Sequence, residues 1–220
     1  MKLLILVLLP FMCFAQSKSN ELKRFKNAYN YYSIGYNLWH KPGVVKTDVL
    51  DSALFYFNKS LTIYPLADSY LERAQIEGIK QSYTAAFDDY TAAIDNCGKD
   101  IILKATCYYS RAQLRNELRD FASAINDCVL SIKYDPTGDA LNYSLMGEVE
   151  YEAGDYLSSI SYCNKCISKY PGNYYAPYLY RGLSEIKIGQ QENGCKDLQL
   201  AKTLPGTNDW VVQTVNSNCN

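Results

Sequence analysis

Residues 143–171, YSLMGEVEYEAGDYLSSISYCNKCISKYP, decide the reading of this chain. Tyr143 is followed four residues later by Gly147. After the turn-like run Gly154, Asp155, Tyr156 comes Ser159, with Cys163 four residues on, Cys166 three further, and Pro171 at the end. Positions three, four and seven apart share one face of a helix, so each half of the stretch predicts a helix whose small residue lets an antiparallel neighbour approach to about 8–10 Å. Proline closes the second helix because it lacks the N–H of the ladder and disfavours helix at the residue before it.

Working outward, the same pattern recurs. Ala53, Phe57, Ser60 and Pro65 carry it first, then Ala86, Tyr90 and Ala93 with Gly98, then Ala124, Cys128, Ser131 and Pro136. Beyond the quoted stretch it returns as Gly194, Leu198 and Ala201 with Pro205 nearby, and the starting positions step by 33, 38, 35 and 35. An upstream helix in each unit has its own small site, at Gly35, Ala74, Ala112, Gly147 and Gly182. Each is preceded four residues earlier by a tyrosine, at Tyr31, Tyr70, Tyr108, Tyr143 and Tyr178. A helix pair of this kind is apolar on both broad faces and cannot bury them alone, so successive pairs must stack.

These residues resemble the tetratricopeptide repeat (TPR), whose pattern is an aromatic, a small residue, a further aromatic, then Ala, an aromatic and Pro over about 34 residues. The third and fourth units match best, through Tyr108, Ala112, Phe121, Ala124 and Pro136, and through Tyr143, Gly147, Gly154, Asp155, Tyr156 and Pro171. The resemblance covers residues 25 to 206. It implies an all-α fold, a right-handed α-solenoid of about five helix-turn-helix units near 25–65, 67–98, 105–136, 140–171 and 175–206. Within a solenoid spanning 16–206, the tail 207–220 is expected as a C-terminal capping segment. Two departures, the extra stretch His40 to Asp48 and the proline-free end Asn96 to Asp100, are expected as longer surface turns.

Composition narrows the function. The 220 residues are 48% hydrophobic, too apolar for a disordered tail. Lys+Arg 22 against Asp+Glu 23 gives a net charge of −1, so neither a nucleic acid nor a basic partner is called for by overall charge. A single histidine, His40, excludes most triads and His-rich metal sites, and it is expected at the surface without a partner. The sequence carries no Gly-rich phosphate loop, no Gly-x-Ser-x-Gly turn and no His-Glu-x-x-His, so no enzyme, cofactor or metal is expected. Asp88 and Asp89 are expected on the solvated side of a second helix.

Residues 1–15 read as a cleaved signal peptide: Lys2, an apolar run from Leu3 to Leu9 continuing through Phe14, and a small-x-small site at Cys13 and Ala15. Pro10 and a length below about 20 apolar residues oppose an uncleaved anchor, and Met12 opposes lipidation of Cys13. Cleavage after Ala15 leaves 21 basic and 23 acidic residues, net −2. The expectation is a periplasmic or secreted protein with no stable membrane span, in a compartment where thiols oxidise.

Seven cysteines then remain, an odd number. Cys163 and Cys166 form a Cys-x-x-Cys. They read either as small hydrophobes at the packing sites that Phe57 and Ser60 occupy elsewhere, or as a thiol-disulfide redox site. The segment Asn193 to Leu198 resembles the closing unit of secreted TPR proteins of the Bacteroidota group. That resemblance implies a disulfide between Cys195 and Cys219, holding Thr207 to Asn220 on the last repeat and contributing about 3 kcal/mol.

The resemblance also puts the first helix of each pair on a concave groove that takes peptides or protein segments. Carried over unit by unit, the groove residues are Tyr29, Tyr32, Tyr36 and Trp39, then Leu71 and Gln75, then Tyr109, Gln113 and Asn116, then Ser144, Glu148 and Tyr151. Aromatic rings with polar tips and amide side chains suit peptide capture, so the expected function is a noncatalytic protein-binding module with a protein or peptide partner. Tyr32 and Tyr36 stand where chaperone-binding members carry a cationic clamp, which argues against carboxylate-tail recognition. Ordinary packing of the tyrosines, or a small-molecule or glycan carrier, are the other readings of the row. In the last unit Leu179, Leu183 and Ile186 are too apolar for an open groove, and Trp210, Val211, Val212 and Val215 are expected to cover them.

Overall fold

The computed structural model describes residues 2–42 and 46–219, with side chains over 17–42 and 49–219. The side chains of the expected leader and residues 43–45 of the inserted turn lie outside the described residues. Among the described residues every regular element is helical. They are α1 (Lys2–Trp39), α2 (Lys46–Ile63), α3 (Ala67–Ile79), α4 (Tyr83–Asn96), α5 (Ile101–Glu117), α6 (Phe121–Tyr134), α7 (Asp139–Ala153), α8 (Tyr156–Lys169), α9 (Ala176–Lys187), α10 (Gln191–Ala201) and α11 (Asp209–Asn218), with a single 3-10 turn at Pro136–Gly138. The chain divides into two compact units, Met1–Leu103 and Lys104–Asn220. The first contains the hairpins α1–α2 and α3–α4; the second contains most of α5 and then α6 to α11.

The small residues sit where the sequence spacing requires them. Ala53, Ala74, Ala86, Ala112, Ala124 and Ser159 are fully buried at the crossings. A Cβ placed on Gly182 would lie 2.7 Å from the Gly194 carbonyl oxygen, and one on Gly194 would lie 2.5 Å from that of Gly182. The α9–α10 pair therefore meets backbone to backbone, and any larger residue must push it apart. Small hydroxyls at other crossings satisfy themselves on the facing helix: Ser131 donates to the Ala105 carbonyl at 2.9 Å and Ser159 to that of Gly147 at 2.7 Å. Large side chains fill the remaining space, with Trp39, Phe57 and Ile76 in the first unit and Met146, Val149, Leu179 and Leu198 in the second.

Four of the turns inside the hairpins share a conformation that glycine advertises in only two of them. Gln81, Arg119, Gly154 and Gly189 all have positive φ, at 61°, 61°, 87° and 86°. In each, the following amide reaches back five residues: Ser82 to Glu77, Asp120 to Arg115, Asp155 to Glu150 and Gln190 to Glu185, at 2.8–2.9 Å. These bonds consume carbonyls that the helix end would otherwise leave open. Asp120 and Asp155 then accept from the amides of Ser123 and Ser158, starting α6 and α8.

One repeated feature corrects the sequence reading. Asp89 is 6% exposed and takes two hydrogen bonds from the Arg73 guanidinium at 2.6 Å, so it is a buried ion-pair partner instead of a solvated carboxylate; Asp88 is exposed. The same fork joins Arg111 to Asp127 and Arg181 to Asp197, always 16 residues apart. Each arginine lies over the tyrosine three residues before it, Tyr70, Tyr108 or Tyr178, at 5.4–5.6 Å. The recurrent tyrosine is thus the floor of a recurrent ion pair. The α7–α8 hairpin has Met146 and Tyr162 at the corresponding positions.

Candidate functional site: tyrosine-bearing faces of the first helices

In the first unit, the exposed side of α1 carries a run of rings. Phe25, Tyr29, Tyr32, Tyr36 and His40 follow one another at centroid separations of 6.2, 5.4, 5.7 and 4.2 Å. Helical spacing of three and four makes this run, and Tyr32 rests on core residue Phe57 at 6.1 Å. Burial raises the pKa of the Tyr32 phenol, and the nearby carboxylates of Asp68 and Glu72 raise it further. His40 Nε2 lies 3.0 Å from Glu72 Oε2, which replaces the expected unpartnered surface histidine with a side-chain pair across to α3.

In the second unit, Tyr109 and Gln113 of α5 and Ser144 and Glu148 of α7 line one cavity of about 290 Å³. The wall is completed by Leu141 and Leu145 of α7, by Tyr174 and Tyr175 just before α9 with Ala176 at its start, and by Pro205 and Gly206 just after α10. Gly206, at φ 85°, presents its backbone to the Tyr175 ring. A second depression of about 340 Å³ shares Tyr109, Gln113 and Leu141 with the first and is lined further by Ser110 and Asn142. The Glu148 pKa is raised by burial; a hydrogen bond from Tyr180 opposes this, while Glu152 and Glu117 add to it. Tyr109 is pushed up to about 12 by burial, then by the neighbouring Cys128, Glu148 and Tyr174.

No protein-family model matches the sequence, and no curated protein does. Solved structures do. PilF of Pseudomonas aeruginosa superposes with a TM-score of 0.71 at 14% identity, over 86% of this chain and 82% of that one. YrrB, described as a TPR protein with an unusual peptide-binding site, gives 0.62 at 15% identity over 91% and 97%. A thermophilic TPR protein of Thermus thermophilus gives 0.59 at 11% identity over 87% and 98%. The chain has the tetratricopeptide-repeat fold.

Within that TPR fold, an α-solenoid of helix-turn-helix units, the residues expected on the groove divide into three sets. Tyr29, Tyr36 and Gln113 are exposed, while Tyr32, Gln75, Tyr109, Glu148 and Tyr151 are partly so. Trp39, Leu71 and Asn116 are only 3%, 5% and 5% exposed and are corrected to interior residues, with Trp39 packed among Ala53, Phe57 and Ile76; Ser144 is likewise buried, at 9%, though it reaches the cavity wall. Asn116 Nδ2 lies 3.4 Å from Glu148 Oε1 of α7. The structure brings Tyr109, Gln113 and Glu148 to one cavity; Tyr151 instead meets Tyr156 and Tyr180 at 5.8 and 5.6 Å. Sequence reasoning missed Tyr174 and Tyr175 because they lie in a loop, outside the helical period; their only signal was a tyrosine pair directly before a helix start.

The TPR register puts the Cys-x-x-Cys at packing positions. Cys163 and Cys166 are fully buried; burial pushes their thiols up to about 12 and about 11, away from the depressed values a reactive thiol needs. Cys166 donates to the Ala140 carbonyl, as a packing hydroxyl would. Cys195 and Cys219 stand apart from these, with sulfurs 2.04 Å and Cα atoms 5.5 Å apart. Val211 and Val215 of α11 are fully buried in the cluster that contains Leu179 and Leu183, but Trp210, expected in the cover, is 53% exposed. Among the described residues no cluster of three or more His, Cys, Asp or Glu is placed to hold a metal, and no helix is long and apolar enough to cross a membrane.

Proposed function

We propose that this protein is a noncatalytic interaction module that works outside the cytoplasm and captures an extended peptide or protein segment on its first-helix faces. The observation that carries the reading is the cavity of the second unit, where Tyr109, Gln113, Ser144 and Glu148 converge with Tyr174 and Tyr175. Rigid rings supply contact area at low entropic cost, and the amide and hydroxyl groups suit a peptide backbone. The adjoining depression lengthens the track beyond a single side chain. YrrB, similar in fold, is described as having a peptide-binding site, which favours the same class of ligand here. Export rests on the apolar run behind Lys2 and the small residues at Cys13 and Ala15. A Cys195–Cys219 disulfide belongs to the same proposal, since an oxidising compartment would form it.

The test is site-specific photo-crosslinking in the native envelope fraction. A benzophenone side chain at Gln113 should yield partner adducts; one at Leu157, on a second helix and 70% exposed, should not. Equal labelling from both sites, or none from Gln113, overturns the groove assignment. An intact mass starting at Met1 would overturn leader cleavage.

A further inference from the structure

We propose that the cavity around Glu148 receives a cationic side chain, lysine or arginine, of the captured segment. This rests on the peptide-binding reading above and specifies its chemistry. Tyr109, Tyr174 and Tyr175 contribute rings to the cavity, Glu148 is its one charged lining residue, and no lysine or arginine lines it. An ammonium or guanidinium group is attracted to the faces of such rings and to the carboxylate together.

The buried surroundings of Glu148 point the same way. Its carboxylate has two neutral donors, the Tyr180 hydroxyl and Asn116 Nδ2, the latter at 3.4 Å. Two donors leave part of a carboxylate's four acceptor sites unused. Asn116 is 5% exposed, and its Oδ1 has no hydrogen-bond partner, so a second buried acceptor accompanies the first. Glu117 and Glu152 add negative potential, and together with burial they make a carboxylate with no cation in the cavity lining costly. A cationic donor relieves that cost. An acidic or phosphorylated side chain would meet like charge, and an apolar one would desolvate Glu148 further without a donor.

The shared walls Tyr109, Gln113 and Leu141 connect this cavity to the second depression, where the Asn142 side chain is 3% exposed and its Oδ1 also lacks a partner. That continuity favours a residue within a chain over a free amine. In the first unit, taken by itself, Tyr32 lies near Asp68 and Glu72 of α3, but Glu72 is already paired with His40. The near-zero net charge of the sequence conceals the acidic character of the Glu148 cavity.

A random dodecapeptide display library should be selected on the full mature protein and on Glu148→Gln. Wild type should enrich sequences with Lys or Arg at one fixed position, and Glu148→Gln should lose that enrichment while keeping its helicity. For the leading synthetic peptide, replacing the cationic residue with norleucine should weaken binding roughly tenfold in calorimetry, and the difference should shrink at high salt. Should Glu148→Gln fail to fold, Tyr174→Ala, in a loop wall, should show the same loss. Enriched peptides without Lys or Arg, or equal binding of the norleucine peptide, overturn the inference and leave the peptide-binding reading standing. No enrichment on wild type overturns both. Acetyl-lysine amide binding as tightly as the peptide would replace the segment with a small amine.

Discussion

On α1 the groove-register positions carry Tyr29 and Tyr36, which stand 47% and 39% exposed. On α9 the corresponding run carries Leu179 and Leu183, which are 0% and 7% exposed and share a buried cluster with Val211 and Val215 of α11. Both helices have the same small-residue register on their opposite side, at Gly35 and Gly182, so the hairpin itself does not distinguish them. What differs is whether the outward side chain has a polar tip. A tyrosine can keep its hydroxyl in water and stack with its neighbours, whereas a leucine row requires a lid. Val211 and Val215 of the terminal helix are fully buried in the cluster that holds those leucines, whereas Tyr29 and Tyr36 of α1 stay exposed.

The largest effect should come from spoiling the lid. Val215→Asp places a carboxylate among Leu179, Leu183 and Val211 and should cost on the order of 4 kcal/mol, read as a lowered denaturant midpoint. An unchanged midpoint would mean that α11 contributes nothing to the stability of the second unit. Next is the tether of that lid. Peptide mapping without reductant should find Cys195 linked to Cys219, and Cys219→Ser should lower stability by about 3 kcal/mol on the loop-entropy argument. Finding both peptides only unlinked would leave packing, and the Gln191 to Asn218 hydrogen bond, as what holds α11. Gly182→Ala tests the part the two hairpins share. Its Cβ meets the Gly194 carbonyl, so a cost of about 2 kcal/mol is expected in thermal melts, and a neutral result would falsify the backbone contact. Smallest is Tyr29→Ser on the open face. It should shift stability by less than about 0.5 kcal/mol; a larger loss would make the row a packing surface like that of α9.

How much was legible can be judged residue by residue. The crossings were: Ala53, Ala86, Ala124, Ser159 and Gly194 recur in sequence and are buried in space, since only a small residue fits where two helices touch. The aliphatic stripe at Leu179 and Leu183 called for a cover; of the residues expected to supply it, Val211 and Val215 are buried in the same cluster and Trp210 is not. The Arg73–Asp89, Arg111–Asp127 and Arg181–Asp197 pairs were present in the sequence as Tyr-x-x-Arg with Asp 16 residues later, but composition alone reads an aspartate as solvated. The turn conformation at Gln81 and Arg119 left no trace, because the glycine that signals it at Gly154 is absent. Of the candidate site, Tyr109, Gln113 and Glu148 were found from register, whereas Tyr174, Tyr175 and Gly206 lie in loops where no period operates.

The sequence by itself determined that the chain is built of helical hairpins with small residues at their crossings, because helical periodicity is local and tells which side chains share a face. Only the tertiary structure decided which of those faces stay open. Trp39, Leu71 and Asn116 share a stripe with Tyr36, Gln75 and Gln113, yet they are buried. Burial depends on the neighbouring helix, whose position arises from packing summed over distant parts of the chain.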